Sequence, residues 1–425
     1  MLCAAATAHA LRPHSPLSTM SSPKARLSLL CALLIVRTAS SVAHSQHDRT
    51  QHACSSGFPR HSSLQRYNNV TGHVPLFGDL LLSDYRVYAV INLKLVLHQG
   101  WHEAAWTFEK EGNVVQCASF GQDPHLQTLV LYADQSALGI DGTRLERVTI
   151  TGRLGDSERV FDRVPLCPPP DTSSFFFVAC TSTLSGAELH HLPEWIAYHV
   201  QGMEHSYVYV NDDFAKAEAA LRPFVDAGLA TLVDWTPPAQ HANSFLYQQA
   251  QQNSCLLRAR GRVHWVALHD SDEFFHAAKP WTSVAQMLHK FVRDGVDDQI
   301  GAVQARSWFY GMHDAETEEK ERQGAVAVGS ANLLLARCVA RDKGPIYEGR
   351  EKLIVRPEHV HYVSVHMVTL GMPTLTLDAE SEMRLVHYKD VEHMRYHVTD
   401  MVMQEWVEPV QAILDGVMMR GKGRS

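Results

Sequence analysis

The sequence predicts an α/β protein: a doubly wound, mostly parallel sheet preceded by a smaller β-rich, sandwich-like region. Three observations carry this. Between Phe175 and Leu268, apolar runs of strand length alternate four times with segments of helical period. Those runs are apolar on consecutive positions, as expected of strands covered on both faces. Upstream, from Tyr85 to about residue 165, short β-branched runs are separated by Gly and Asp turns.

Taken in order, the upstream runs are Val87-Tyr88-Ala89-Val90-Ile91, Val114-Val115, Leu129-Val130-Leu131-Tyr132 and Val148-Thr149-Ile150. Asp141-Gly142 and Gly155-Asp156 supply turns between them. This region, residues 70–167, is expected to brace its neighbour or to bind carbohydrate. Pro168-Pro169-Pro170 breaks the chain, and the period then changes. Phe175 to Cys180 is a strand-length run, and Leu189, Leu192, Ile196, His199 and Met203 recur at helical spacing. Tyr207-Val208-Tyr209-Val210 is the next strand, ending in Asn211-Asp212-Asp213. A helical pattern runs to Ala227 and is closed by Gly228 at C′. Thr231-Leu232-Val233 is a third strand, Phe245 to Arg260 reads as helix, and Val263 to Leu268 is a fourth strand. Periodicity leaves the strand order open.

Length and composition set outer bounds. At 425 residues the chain suits two domains, and 45% hydrophobic with 20% charged residues is a globular balance. A formal charge of −8, with basic residues concentrated only in the tail 418–425, excludes a nucleic-acid binder. Near the N-terminus, Lys24 and Arg26 precede the apolar run Leu27 to Val36, and small residues follow with Ser41-Val42-Ala43 as a cleavage site. That order predicts a secretory signal peptide or signal anchor over residues 1–43, followed by a disordered stem over 44–69. The sequon Asn69-Val70-Thr71 fits the same compartment. The expected location is the secretory pathway, in the Golgi lumen as a single-pass type II membrane protein, or secreted if the signal is cleaved. Eight cysteines permit disulfides there, and Cys180 and Cys255 fit buried free thiols equally well.

The chemistry concentrates after the fourth strand. Asp270, Asp272 and Glu273 stand where Val263–Leu268 leaves the core, and carboxylates gathered in that way call for a counter-ion. Hard oxygen ligands suit magnesium or manganese. If the strand continues, Asp270 and Asp272 share a face and can reach one ion together. Ligands in doubly wound sheets bind beyond the carboxyl ends of the strands, where Asn211, Asp212, Asp270 and Asp272 all fall.

Several stretches together resemble glycosyltransferase family 92. They begin with Val178-Ala179-Cys180 and Pro193-Glu194-Trp195-Ile196-Ala197-Tyr198-His199, and continue through Gly202, His205 and Tyr207 to Asp212. Gln249, Asn253-Ser254-Cys255-Leu256 and Arg258-Ala259-Arg260 follow, then Trp265-Val266-Ala267 and Asp270-Ser271-Asp272-Glu273-Phe274. Lys352-Leu353-Ile354-Val355-Arg356-Pro357, His366 and His387-Tyr388 complete the series. The similarity covers roughly 175 to 390. It implies a GT-A fold over 171–417, a nucleotide-sugar donor, typically UDP-galactose, manganese, and transfer of a β-linked sugar to a glycan or glycoprotein acceptor.

Each role follows from the chemistry. A cation neutralises a diphosphate leaving group. Asp272 is the expected direct metal ligand, with Asp270 facing the ribose or sharing the ion. His366 and His387 compete for a third position, which the resemblance places on a C-terminal histidine. Lys352 and Arg356 suit the diphosphate, and Asn211 and Asp212 suit the nucleotide. An inverting transfer needs a carboxylate base, for which Asp314, Glu316 and Glu348 are candidates. Trp195 and Ile196 are core residues. The alternatives are another UDP-sugar donor, an inactive nucleotide- or glycan-binding descendant, and a metal-dependent phosphohydrolase.

Overall fold

The structure, a computed structural model, describes residues 54–55, 58–59, 78–92, 100–120, 128–167, 174–183, 188–211, 213–235, 248–312, 333–345, 349–388, 396 and 398–422. The targeting segment, the sequon, the proline triplet, Asp212, Asp314, Glu316, Glu348 and the last tail residues lie outside these. Among the described residues no helix is long and apolar enough to cross a membrane.

The first part of the chain forms two four-stranded antiparallel sheets. One contains β1 (Gly78–Ser83), β2 (Arg86–Asn92), β5 (Ala118–Phe120) and β6 (Thr128–Asp134). The other contains β3 (Ala105–Lys110), β4 (Asn113–Gln116), β7 (Glu146–Leu154) and β8 (Ser157–Leu166). Alternation along β1 and β2 explains their unbroken apolar sequence. Leu80, Leu82, Val87, Ala89 and Ile91 face the second sheet and pack with Trp106, Phe108, Val148 and Phe161. Leu81, Tyr88 and Val90 point the other way, into the core of the larger α/β region.

That second face is also tied by polar contacts. Asp79 accepts from Ser254 Oγ at 2.6 Å and from both Arg258 Nε and Nη2. Arg260 donates to Tyr88 Oη at 3.0 Å, and the Tyr362 hydroxyl donates to the Thr128 carbonyl at 2.5 Å. The β-rich region therefore braces the helix that carries Ser254 and Arg258. Tyr362→Phe removes one of these bonds between buried groups, so we expect a loss of about 1–3 kcal/mol in unfolding free energy. Urea denaturation measures it, and an unchanged midpoint would contradict the bracing role.

The α/β region is built on β9 (Phe175–Thr183), β10 (His205–Val210), β11 (Ala230–Asp234) and β12 (Val263–Leu268). They are parallel, in spatial order β11-β10-β9-β12. The helices α1 (Leu192–His199), α2 (Phe214–Asp226) and α3 (Gln248–Ala259) connect them. Gly228 has φ +72°, the left-handed conformation that ends α2. Beyond β12 the sheet turns antiparallel through β15 (Lys352–Val355) to β14 (Ala302–Gly311). A further layer pairs β14 with β17 (Met383–His387), and β17 with β13 (Glu273–Ala277). Trp195, Trp265, Trp308 and Tyr310 are fully buried core.

Cys180 and Cys255 are not free thiols. They form a disulfide joining β9 to α3, and Cys167 is disulfide-bonded as well. Adjacent packing of the β9 end on α3, rather than sequence spacing, brings the first pair together.

Candidate metal and nucleotide site

The sheet order reverses between β9 and β12, and the strand that crosses that point delivers the acids. The expected continuation of β12 does not occur. Asp270 to Asp272 form a turn, with Glu273 N donating to the Asp270 carbonyl at 3.2 Å, and Glu273 opens β13. Alternation therefore does not put Asp270 and Asp272 on one face, and the two carboxylates have different partners.

Asp270 faces Lys352. The Lys352 ammonium, on a side chain 2% exposed, donates to Asp270 Oδ2 at 2.8 Å and lies 3.5 Å from Glu273 Oε2. Gln248, at the start of α3, also donates to Asp270. Asp272 instead faces His387, whose Nε2 is 3.3 Å from Asp272 Oδ2. His387 Nδ1 lies 3.3 Å from Glu273 Oε1 and hydrogen-bonds with Ser307 Oγ at 3.3 Å. The β13–β17 register, which sets Glu273 opposite His387, fixes this meeting.

The floor of the turn is made by α1. Trp195 Nε1 donates to the Glu273 carbonyl at 3.0 Å and the Tyr198 hydroxyl to the Phe275 carbonyl at 2.9 Å. His199 and His269 meet at 3.0 Å. Burial holds both rings neutral, bringing His199 down to about 3 and His269 well below its usual value. Glu194 accepts from the amides of Leu334 and Leu335 at 2.9 Å each, anchoring the short helix α4 (Leu334–Arg337) beside α1.

Charges in the cluster oppose burial. Burial pushes the Asp272 carboxyl up, but His387 and Lys352 outweigh it and hold it below the ordinary range. Burial raises Glu273 to about 7 against the pull of Lys352. Burial also lowers Lys352 and His387, yet the carboxylates around them win and both are raised.

Asp272, Glu273 and His387 each offer one ligand atom within 4.8 Å of the others. Asp270, Asp272 and Glu273 here surround one ammonium and one imidazole. Carboxylate oxygen with imidazole nitrogen is a donor set that manganese accepts. The residues present fit such an ion.

Other residues fall elsewhere. His366 lies in the bend after β16 (Val360–Val363), with Nδ1 2.8 Å from the Glu351 carbonyl, and does not join the three-residue group. Burial and Lys352 lower its pKa. Arg356 follows the far end of β15 from Lys352. It donates to Asp297 and lies over the Trp265 ring at 5.4 Å. Because β15 runs antiparallel to β12, its two ends open at opposite edges of the sheet, and Arg356 does not share the acid cluster with Lys352. Asn211, at the end of β10, is buried and accepts from Gln251 of α3. Sequence reasoning counted Glu273 among the gathered acids without giving it a partner, and gave no role to Ser307 or Gln248. The only local signal was the acid following Asp272, since the partners arrive through long-range pairing.

The family model described as glycosyltransferase family 92 matches residues 176–419. A glycosyltransferase family 92 protein of Ricinus communis is 31% identical over 99 residues, which cover 23% of this chain and 17% of that protein. The match thus spans about a sixth of the length of that relative. Among solved structures, a crystal structure of S. aureus TarS 1–349 aligns at TM-score 0.27 and 9% identity, covering 57% of this chain and 71% of that one. That likeness is too slight to inform the chemistry.

Proposed function

The chain belongs to glycosyltransferase family 92, and we propose that it transfers galactose from UDP-galactose to a glycan or glycoprotein acceptor, with inversion and with a divalent ion, manganese first. The observation that carries the metal reading is the meeting of Asp272, Glu273 and His387, each offering a ligand atom within 4.8 Å of the others. Asp272 and His387 Nε2 would hold the ion, which would offset charge on the departing diphosphate. Asp270 is oriented by Lys352 and Gln248, and its remaining acceptor capacity suits the ribose hydroxyls. Asn211 lines the neighbouring strand end for the nucleotide. The acceptor proton passes to a carboxylate, for which Asp314, Glu316 and Glu348 remain the candidates. Glu194 is unsuited, since both its oxygens are committed to α4.

The disulfide-bonded Cys180, Cys255 and Cys167 support an oxidising, secretory location, with a signal anchor at the N-terminus or release after cleavage. The deciding experiment is a donor panel of UDP-galactose, UDP-glucose and UDP-N-acetylhexosamines with mixed glycan acceptors, with and without manganese, reading released UDP. We expect acceptor-stimulated release from UDP-galactose that chelation abolishes. A different preferred sugar would redirect the donor assignment. Undiminished turnover in chelator would remove the metal, and UDP binding without any turnover would favour an inactive descendant.

A further inference from the structure

We infer that Glu273 is a positioning residue, which sets the tautomer and ring orientation of His387 so that Nε2 presents its lone pair beside Asp272. This deepens the metal-dependent reading above and rests on it.

The argument begins with the two sides of the imidazole. Nε2 faces Asp272, whose side chain is 30% exposed, and Nδ1 faces Glu273, whose side chain is 1% exposed. An ion takes one ring nitrogen, and the side open to solvent is the Asp272 side. Although Glu273 has an oxygen within ligand range of the other two groups, it stands behind the ring. Its Oε2 already accepts the Asp270 N–H at 2.8 Å and lies 3.5 Å from the Lys352 ammonium. Oε1 is the atom turned to His387.

The proton on Nδ1 decides what Nε2 can do. In neutral histidine one ring nitrogen is a donor and the other an acceptor. Ser307 Oγ, also at 3.3 Å from Nδ1, can donate or accept, so it leaves the tautomer open. As a carboxylate Glu273 only accepts, and its Oε1 stands 3.3 Å from Nδ1. Its presence at Oε1 draws the proton to Nδ1 and leaves Nε2 free for a cation. Carboxylates placed behind metal-binding histidines act in this way, and their loss commonly lowers metal affinity ten- to a hundredfold. Glu273 itself is fixed at the first position of β13 by the cross-strand register to His387 and by the Trp195 bond to its carbonyl.

The test uses the full chain and manganese alone. Calorimetry on wild type, Glu273→Gln, His387→Ala and the double variant gives four affinities. Glutamine keeps the shape but offers an amide N–H to Nδ1, which turns the preference to the wrong tautomer. We expect Glu273→Gln to weaken manganese binding about ten- to a hundredfold, and to add little once His387 is gone. Equal affinity in Glu273→Gln and a metal-binding wild type overturns the inference and leaves the metal reading intact. A full additional loss in the double variant also overturns it, by making Glu273 an independent ligand. If wild type binds no manganese, both fall. Because Glu273 is buried and its variant can misfold, a second measurement stands on wild type. Nitrogen-15 histidine spectra of the metal-free protein, taken at a pH high enough for the ring to have lost its second proton and with His387 assigned by its absence in His387→Ala, should show neutral His387 protonated at Nδ1. Protonation at Nε2 overturns the inference.

Discussion

Asp272→Ala is expected to lower kcat/KM for glycosyl transfer by about a thousandfold or more, which corresponds to roughly 4 kcal/mol of transition-state stabilisation. The substitution removes the one carboxylate in the cluster that is both opposite His387 Nε2 and open to solvent. Neither remaining acid can replace it. Asp270 is engaged with Lys352 and Gln248, and Glu273 is buried behind the imidazole. The fold should survive, because the structural bond made by this residue comes from its backbone: the Asp272 carbonyl accepts from Tyr388 N at 2.9 Å, and alanine keeps it. Thermal unfolding should therefore change little while released UDP falls to background. Near-normal turnover in a folded variant would mean that the diphosphate is neutralised elsewhere.

Much of the scaffold was legible because local rules produced it. Val263 to Leu268 is apolar at almost every position, and a strand buried on both faces requires that. Gly228 announced the end of α2 because few other residues adopt a positive φ without strain. The site was legible only as far as such rules extend. That acids leave β12 together is visible in the sequence, but which way each one points is not. A turn replaced the assumed strand, so the alternation argument for Asp270 and Asp272 lost its premise. Lys352 and Arg356 looked equivalent as basic residues of one segment. The antiparallel pairing of β15 with β12 sent one to the acids and the other to Asp297. Glu273 and His387 meet only because β13 and β17 pair, and no local pattern encodes that register. The Cys180–Cys255 bond has the same origin in tertiary packing.

Lys352→Met should destabilise the protein by about 3–5 kcal/mol near neutral pH, the usual cost of stranding a buried charge. The ammonium is 2% exposed and stands between Asp270 and Glu273, so a methionine of similar length fills the space but leaves both carboxylates without their cation. The pH dependence gives the sharper test. In wild type, burial already raises Glu273 to about 7, and Lys352 is the strongest influence opposing that rise. Without Lys352 the Glu273 carboxyl must titrate higher still. A carboxyl raised in the folded state holds its proton where the unfolded chain, near 4.5, has lost it, so folding takes up a proton across that window. The contribution is then favourable below about 4.5 and is lost as pH rises through the folded value. The deficit of Lys352→Met relative to wild type should therefore be largest at pH 8 and shrink toward pH 5, where Glu273 is neutral and no longer needs a counter-ion. Denaturant midpoints for the two proteins across that range measure the difference directly. A deficit that grew on acidification, or one below about 1 kcal/mol at pH 8, would show that Lys352 is not the charge balancing these acids.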